Sequence, residues 1–244
     1  MFSGPPGKEG PLYFIIAFTM EVLFWFLIVP RGLGFPDGRQ PLKSYFEKIR
    51  FTQIHPIVRN VILGVICALI FLTSGFIFTI LTGSYVFDTK QIFPPDSWII
   101  LNALVSGIWE EFGFRGVILT MFLRPYNKEK AIILSAVMFS LAHLFNLLGF
   151  GISIEAILMV LTQVCYAFFI GMLLAYLVIK TDSLLPGIVI HYLLNAFGPL
   201  LTNTPCIDPL FKAIMMIFGA GIVPSLFAFI LVRKIFSNTE NSEE

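Results

Sequence analysis

The chain has 244 residues, is 57% hydrophobic and 13% charged, and carries a net charge of +1 with a mean hydropathy of +0.87. Soluble domains are about 45–50% apolar and about 25% charged, so this composition excludes an ordinary soluble protein. The near-neutral charge and the lack of a basic stripe exclude nucleic acid as a partner.

At about 20 residues per span with short connections, the length holds six to eight membrane helices and no separate soluble domain. Seven apolar segments follow in chain order: about Pro11–Pro30, Ile57–Leu81, Ser97–Leu123, Ala131–Phe150, Ser153–Ile179, Leu184–Leu201 and Leu210–Leu231. The first lacks a basic start and a small-residue cleavage site, so it reads as a retained span rather than a signal peptide. Connections after the first, third, fifth and seventh segments carry Arg31, Arg39, Lys43, Lys48, Arg50, Arg59, Arg124, Lys128, Lys130, Lys180, Arg233 and Lys234. The opposite side has Lys8, Lys90 and Lys212, which makes twelve against three with Arg115 set aside as intramembrane. That alternation follows the positive-inside rule for seven spans. The expected fold is therefore all-α: a polytopic integral membrane helix bundle of about seven transmembrane helices, with the N-terminus outside and the C-terminus cytoplasmic. Residues 1–244 form one membrane domain, placed in the cell membrane with the lipid bilayer as its surroundings, and the polar, acidic 237–244 reads as a disordered tail.

The first connection mixes aromatic and basic residues in Lys43–Phe51, which suits an interfacial segment on the cytoplasmic membrane surface or a plain loop. Cys67, Cys165 and Cys206 have no CxxC spacing and are odd in number, so they read as packing residues. Glu21 stands alone in the first span and suits a helix contact better than catalysis.

The third segment holds the main anomaly, Trp109-Glu110-Glu111-Phe112-Gly113-Phe114-Arg115. Two carboxylates and a guanidinium left unpaired at the bilayer centre would cost on the order of 8–10 kcal/mol. On an α-helix, Glu111 and Arg115 lie about 40° apart, the i,i+4 geometry in which opposite charges meet. Glu110 points about 100° from Glu111 and about 140° from Arg115, so it is the acid left for another partner and for proton transfer. An ion pair that merely joins helices would explain Glu111 and Arg115 but not Glu110.

The fourth segment has Phe139, His143 and Asn146, with the histidine and the amide at i,i+3 on one face. The sixth repeats the theme after Pro186, with His191 and Asn195 at i,i+4. Of three histidines in the chain, two lie inside membrane segments with an asparagine one turn later, and His55 lies in the basic connection. Lipid would not tolerate these groups scattered, so mutual satisfaction inside the bundle is the economical arrangement. Depths counted from the expected cytoplasmic ends are roughly 20 Å for Glu110 and His143 and 11 Å for His191, close enough for one chamber. Gln163 and Tyr166 are further polar candidates in the fifth segment, without a motif to single them out.

Together, Glu110-Glu111-x-x-x-Arg115, Phe139-x-x-x-His143 with Asn146, and His191-x-x-x-Asn195 resemble the signature of CPBP intramembrane proteases. These are the CAAX prenyl endopeptidases and the bacteriocin-processing, or Abi, proteins. Order, residue types and spacing agree over a catalytic core of about 97–201. The resemblance implies hydrolysis of a peptide bond within or beside the membrane, in a membrane-associated protein or peptide. It makes Glu110 the general base, with His143 holding the water and Glu111 and Arg115 supporting the site. His191 and Asn195 become oxyanion donors, and Asn146 a secondary polar contact. Glu110, His143 and His191 would also make a legitimate zinc set, although His-Glu-x-x-His is missing. The expectation is a scheme that requires no cofactor, with zinc as the alternative. Two other classes compete: an ion or proton-coupled transporter using the same buried groups, and a non-catalytic bacteriocin-immunity protein that keeps them for packing.

Overall fold

A computed structural model describes residues 19–20, 22–36, 38–81, 97–150, 153–198 and 208–240. Glu21, Cys206, Lys8, Lys90 and residues 11–18 of the first expected span lie outside them. Regular structure among the described residues is entirely helical.

Helix α1, Phe24–Gly32, is wound as a wide π turn around Pro30. Proline has no N–H to give to the ladder, and a local change of winding accommodates that loss. A short helix α2, Leu42–Lys48, follows Pro41. Helix α3 is Ile57–Leu81. Helix α4 is Ser97–Glu110, prolonged by a π turn at Glu111–Ile118 and a last turn at Leu119–Phe122. Helix α5 is Lys128–Ala142, prolonged by a 3₁₀ turn at His143–Asn146 and by Leu147–Phe150. Helix α6, Ile154–Thr181, ends at Asp182 in the left-handed region with φ 50°. Helix α7 is Leu185–Phe197, with Pro186 in its first turn. Helix α8 runs through Pro209–Met216, a π turn at Ile217–Ile222, and Val223–Glu240.

Starts are capped by side chains where the sequence allows it. Asn127 accepts from the Lys130 N–H at 3.0 Å and Ser153 from the Ala156 N–H at 3.1 Å. Asp208 accepts from both Leu210 and Phe211. Each satisfies backbone donors that the first helical turn leaves open.

Every expected apolar segment thus contains a helix. Among the described residues, four stretches are long and apolar enough to cross a membrane: Ile57–Leu81, Lys128–Gly149, Ile154–Thr181 and Pro209–Ser237. The expected sixth span is shorter: α7 has 13 described residues, about 20 Å at 1.5 Å per residue against a hydrocarbon core of about 30 Å. The last helix runs on to Glu240, so the expected tail is helical over 237–240, while 241–244 lie outside the described residues.

The core is apolar and interhelical. Leu63, Cys67 and Phe71 of α3 meet Leu173, Leu174 and Leu177 of α6, Ile190 of α7, and Ala228 and Val232 of α8. Cys67 is buried as expected of a packing residue, whereas Cys165 is exposed on α6. Helix α2 is not spread on a surface. Tyr45 and Ile49 are fully buried and join Val29, Phe112 and Val117 in a second cluster, bordered by Trp25, Phe26, Phe46 and Phe51. The first connection is therefore packed onto α4, where it covers the back of the charged turn. Arg50 fastens its far end, donating to Asp182 Oδ1 at 2.6 Å and to Thr120 Oγ1 at 3.1 Å.

Candidate active site

Helix α4 changes winding where its charges begin. Over Glu111–Ile118 the ladder widens, closing with the Leu119 N–H on Phe114 O, five residues back. Such π turns inside α-helices are frequent at functional sites. The i,i+4 pair survives this change: Arg115 Nη1 lies 3.1 Å from Glu111 Oε1, and both side chains are fully buried. The guanidinium also rests over the Phe139 ring, with Cζ 4.0 Å from its centroid, and donates from Nη2 to Gly171 O at 3.5 Å.

His191 stands between the two acids. Its Nε2 lies 3.3 Å from Glu110 Oε2 and its Nδ1 lies 3.2 Å from Glu111 Oε1. The close fit of α7 to Glu111 depends on Gly187, one turn before the histidine, where an added Cβ would fall 2.6 Å from Glu111 Oε2.

Phe139 is the hub of the cluster. Besides Arg115, its ring meets His143 at 5.0 Å and His191 at 5.8 Å between centroids, both in T-shaped geometry. His143 opens the 3₁₀ turn of α5, where residues three apart eclipse, so Asn146 stands directly over it. His143 Nδ1 is buried, and the ring lies within reach of the Phe139 carbonyl one turn before it. Glu110 lies within electrostatic range of this ring and of His191. Its own side chain is 15% exposed, against 0% for Glu111.

The two asparagines hold other partners. Asn195 Nδ2 donates to Ser106 Oγ of α4 at 3.0 Å. Asn146 Nδ2 donates to Gln163 Oε1 of α6 at 2.8 Å. Direct contact thus joins Glu110, Glu111, Arg115 and His191. Phe139 adds His143, Asn195 follows one turn beyond His191, and Asn146 turns toward α6.

Glu110 finds its other partner in His191, which Glu111 also contacts, so that both acids share one imidazole. Helical geometry had put the two carboxylates about 100° apart. An imidazole carries nitrogens on two edges and bridges that gap, and the widened turn narrows the angle per residue. The zinc alternative fits poorly. Glu110, His143 and His191 do not form a group of three ligands that could hold a metal ion, nor does any other set among the described residues.

Residues 92–197 match the family model described as type II CAAX prenyl endopeptidase Rce1-like. Over this stretch the chain is similar to the CAAX prenyl endopeptidases. The matched stretch runs from just before α4 to the end of α7 and contains every residue of the cluster. Comparisons with curated proteins and with solved structures gave no significant match. The apolar helices and the similarity to this family indicate an integral membrane protein.

Two contributors were not read from the sequence. Ser106 lies four residues before Glu110, on the same helical face, so a signal was present. Gly187 gave none, because its importance lies in which side chain packs against it.

Proposed function

We propose that this protein is an intramembrane endopeptidase that hydrolyses a peptide bond of a membrane-associated protein or peptide, prenylated CAAX-type chains included, using water activated by Glu110. The observation that supports the reading is that Glu110 pairs with His191 and lies within electrostatic range of His143, with both imidazoles against the Phe139 ring, so that the three groups meet from three different helices.

In this scheme a water molecule sits between Glu110 and His143. Glu110 takes its proton as the hydroxide adds to the scissile carbonyl carbon, which becomes tetrahedral and places negative charge on its oxygen. His191, oriented by Glu111 at Nδ1, and the second N–H of Asn195 donate to that oxyanion. Collapse breaks the C–N bond, and Glu110 returns the proton to the leaving amine, so water is consumed and a carboxylate and an amine are released. Arg115 holds the Glu111 carboxylate in place and thereby keeps His191 aimed. Access is from the cytoplasmic side, following the positive-inside topology.

The test is cleavage of quenched fluorescent peptides, farnesylated and unmodified, by purified protein in liposomes. Wild type should cleave, and Glu110→Gln, His143→Ala and His191→Ala should each reduce the rate by at least about 10²-fold, the lower range for acid–base groups. Normal cleavage by a folded Glu110→Gln protein would refute the assigned base. Ion flux lost in Glu110→Gln, with no cleavage by wild type, would establish the transporter instead.

A further inference from the structure

Helices α4 and α7 run side by side in a fixed antiparallel register. Glu110 faces His191, and one turn away Ser106 faces Asn195. Between these rungs Gly107 lets the backbones close in, since an added Cβ would lie 3.2 Å from the Tyr192 nitrogen. The second rung is a directed chain: Asn195 Nδ2 donates to Ser106 Oγ at 3.0 Å, and Ser106 Oγ in turn donates to Ala103 O at 3.4 Å. A hydroxyl that donates its proton to one acceptor strengthens as an acceptor for another donor. A carboxamide has two N–H groups in one plane. Anchoring one of them fixes the plane and hence the direction of the other.

We infer that Ser106 is a positioning residue that sets the orientation of the Asn195 amide, so that its second N–H is held ready for the developing oxyanion. This deepens the endopeptidase reading and rests on it. In this role Ser106 acts through Asn195, to which its hydroxyl is bonded. An unanchored amide would have to be oriented during the reaction, whereas an anchored one meets the negative charge without reorganisation. The effect should therefore fall on the chemical step and leave substrate binding unchanged.

The experiment is a double-mutant cycle in liposomes with a quenched farnesylated peptide. Ser106→Ala should lower kcat about tenfold with KM within about twofold, and Ser106→Thr, which keeps the hydroxyl, should restore most of the loss. Asn195→Ala should lower kcat by about 10²-fold or more, as loss of an oxyanion donor does. Adding Ser106→Ala to Asn195→Ala should then change little. An unchanged kcat in Ser106→Ala, an effect confined to KM, or a further tenfold loss in the Asn195→Ala background would each overturn the inference. A second readout needs no substrate. In protein labelled with ¹⁵N-asparagine, the Asn195 side-chain resonance, assigned by its loss in Asn195→Ala, should shift in Ser106→Ala and hold in Ser106→Thr. An unmoved resonance also overturns the inference. If wild type cleaves nothing while the resonance shifts as expected, the hydrogen bond stands, and the endopeptidase reading fails together with the catalytic role given to Ser106.

Discussion

Replacing Arg115 by methionine removes the guanidinium paired with Glu111 while leaving that carboxylate fully buried. Taking away one member of a buried ion pair costs about 3–5 kcal/mol, chiefly because the remaining charge has no compensation. The contact with the Phe139 ring, at 4.0 Å, is lost in the same substitution. For a chain of this size each kcal/mol moves Tm by about 2–4 °C, so Arg115→Met should lower it by about 6–20 °C. Removing both charges in Glu111→Gln/Arg115→Met should recover a large part of that drop, since no buried ion is left unmatched. The control is Asp182→Asn, which breaks a pair whose acid is 71% exposed and whose position has φ 50°, a conformation asparagine tolerates. An exposed pair is worth about 0–1 kcal/mol, so the control should move Tm by less than about 4 °C. Thermal unfolding in mild detergent, followed by tryptophan fluorescence, measures all three. The reasoning is refuted if Arg115→Met is no worse than the control, or if the double variant is as unstable as the single one.

Further outcomes follow from the same packing. Gly187→Ala forces a methyl to within 2.6 Å of Glu111 Oε2 and should cost about 1–3 kcal/mol as overpacking. Gly149→Ala, with nothing within 4 Å, should be close to neutral, and equal Tm values for the two would contradict the crowding. Phe139→Ala removes a buried ring that touches three site residues and should cost about 3–5 kcal/mol; a loss below about 1 kcal/mol would show that the hub is dispensable. Chelator treatment should leave the cleavage rate unchanged, and a loss restored by added zinc would overturn the scheme in which Glu110 acts on water alone.

Much of this was written in the sequence because the membrane makes polar residues conspicuous. Glu111 and Arg115 paired as their spacing required, and the motif histidines arrived on separate helices beside the acids. Local periodicity did not reveal the π turn at Glu111–Ile118, since residues suited to an α-helix also suit a widened one. The bridging of both acids by His191 depends on how α7 sits against α4, which only tertiary packing decides. The role of α2 was hidden for a related reason. Aromatic residues on one face of a short helix look alike whether they are to meet lipid or the side of another helix, and here Tyr45 and Ile49 meet Phe112 and Val117. Ser106 escaped notice because a serine in a membrane helix ordinarily bonds its own backbone, and its hydroxyl does reach Ala103 O; its acceptor side is what Asn195 uses.

The Glu111–Arg115 pair has a consequence for the order in which the protein is made. All three charges of the cluster lie on α4, while the partners contributed by α5 and α7 come later in the chain. Because the pair closes within one helix turn, α4 can neutralise two of its charges as soon as it emerges, without waiting for another helix. Only Glu110 then needs a proton during passage into lipid, until α7 brings His191 beside it. The residues that keep the finished site in register would thus also make its most polar helix acceptable to the membrane before any site exists.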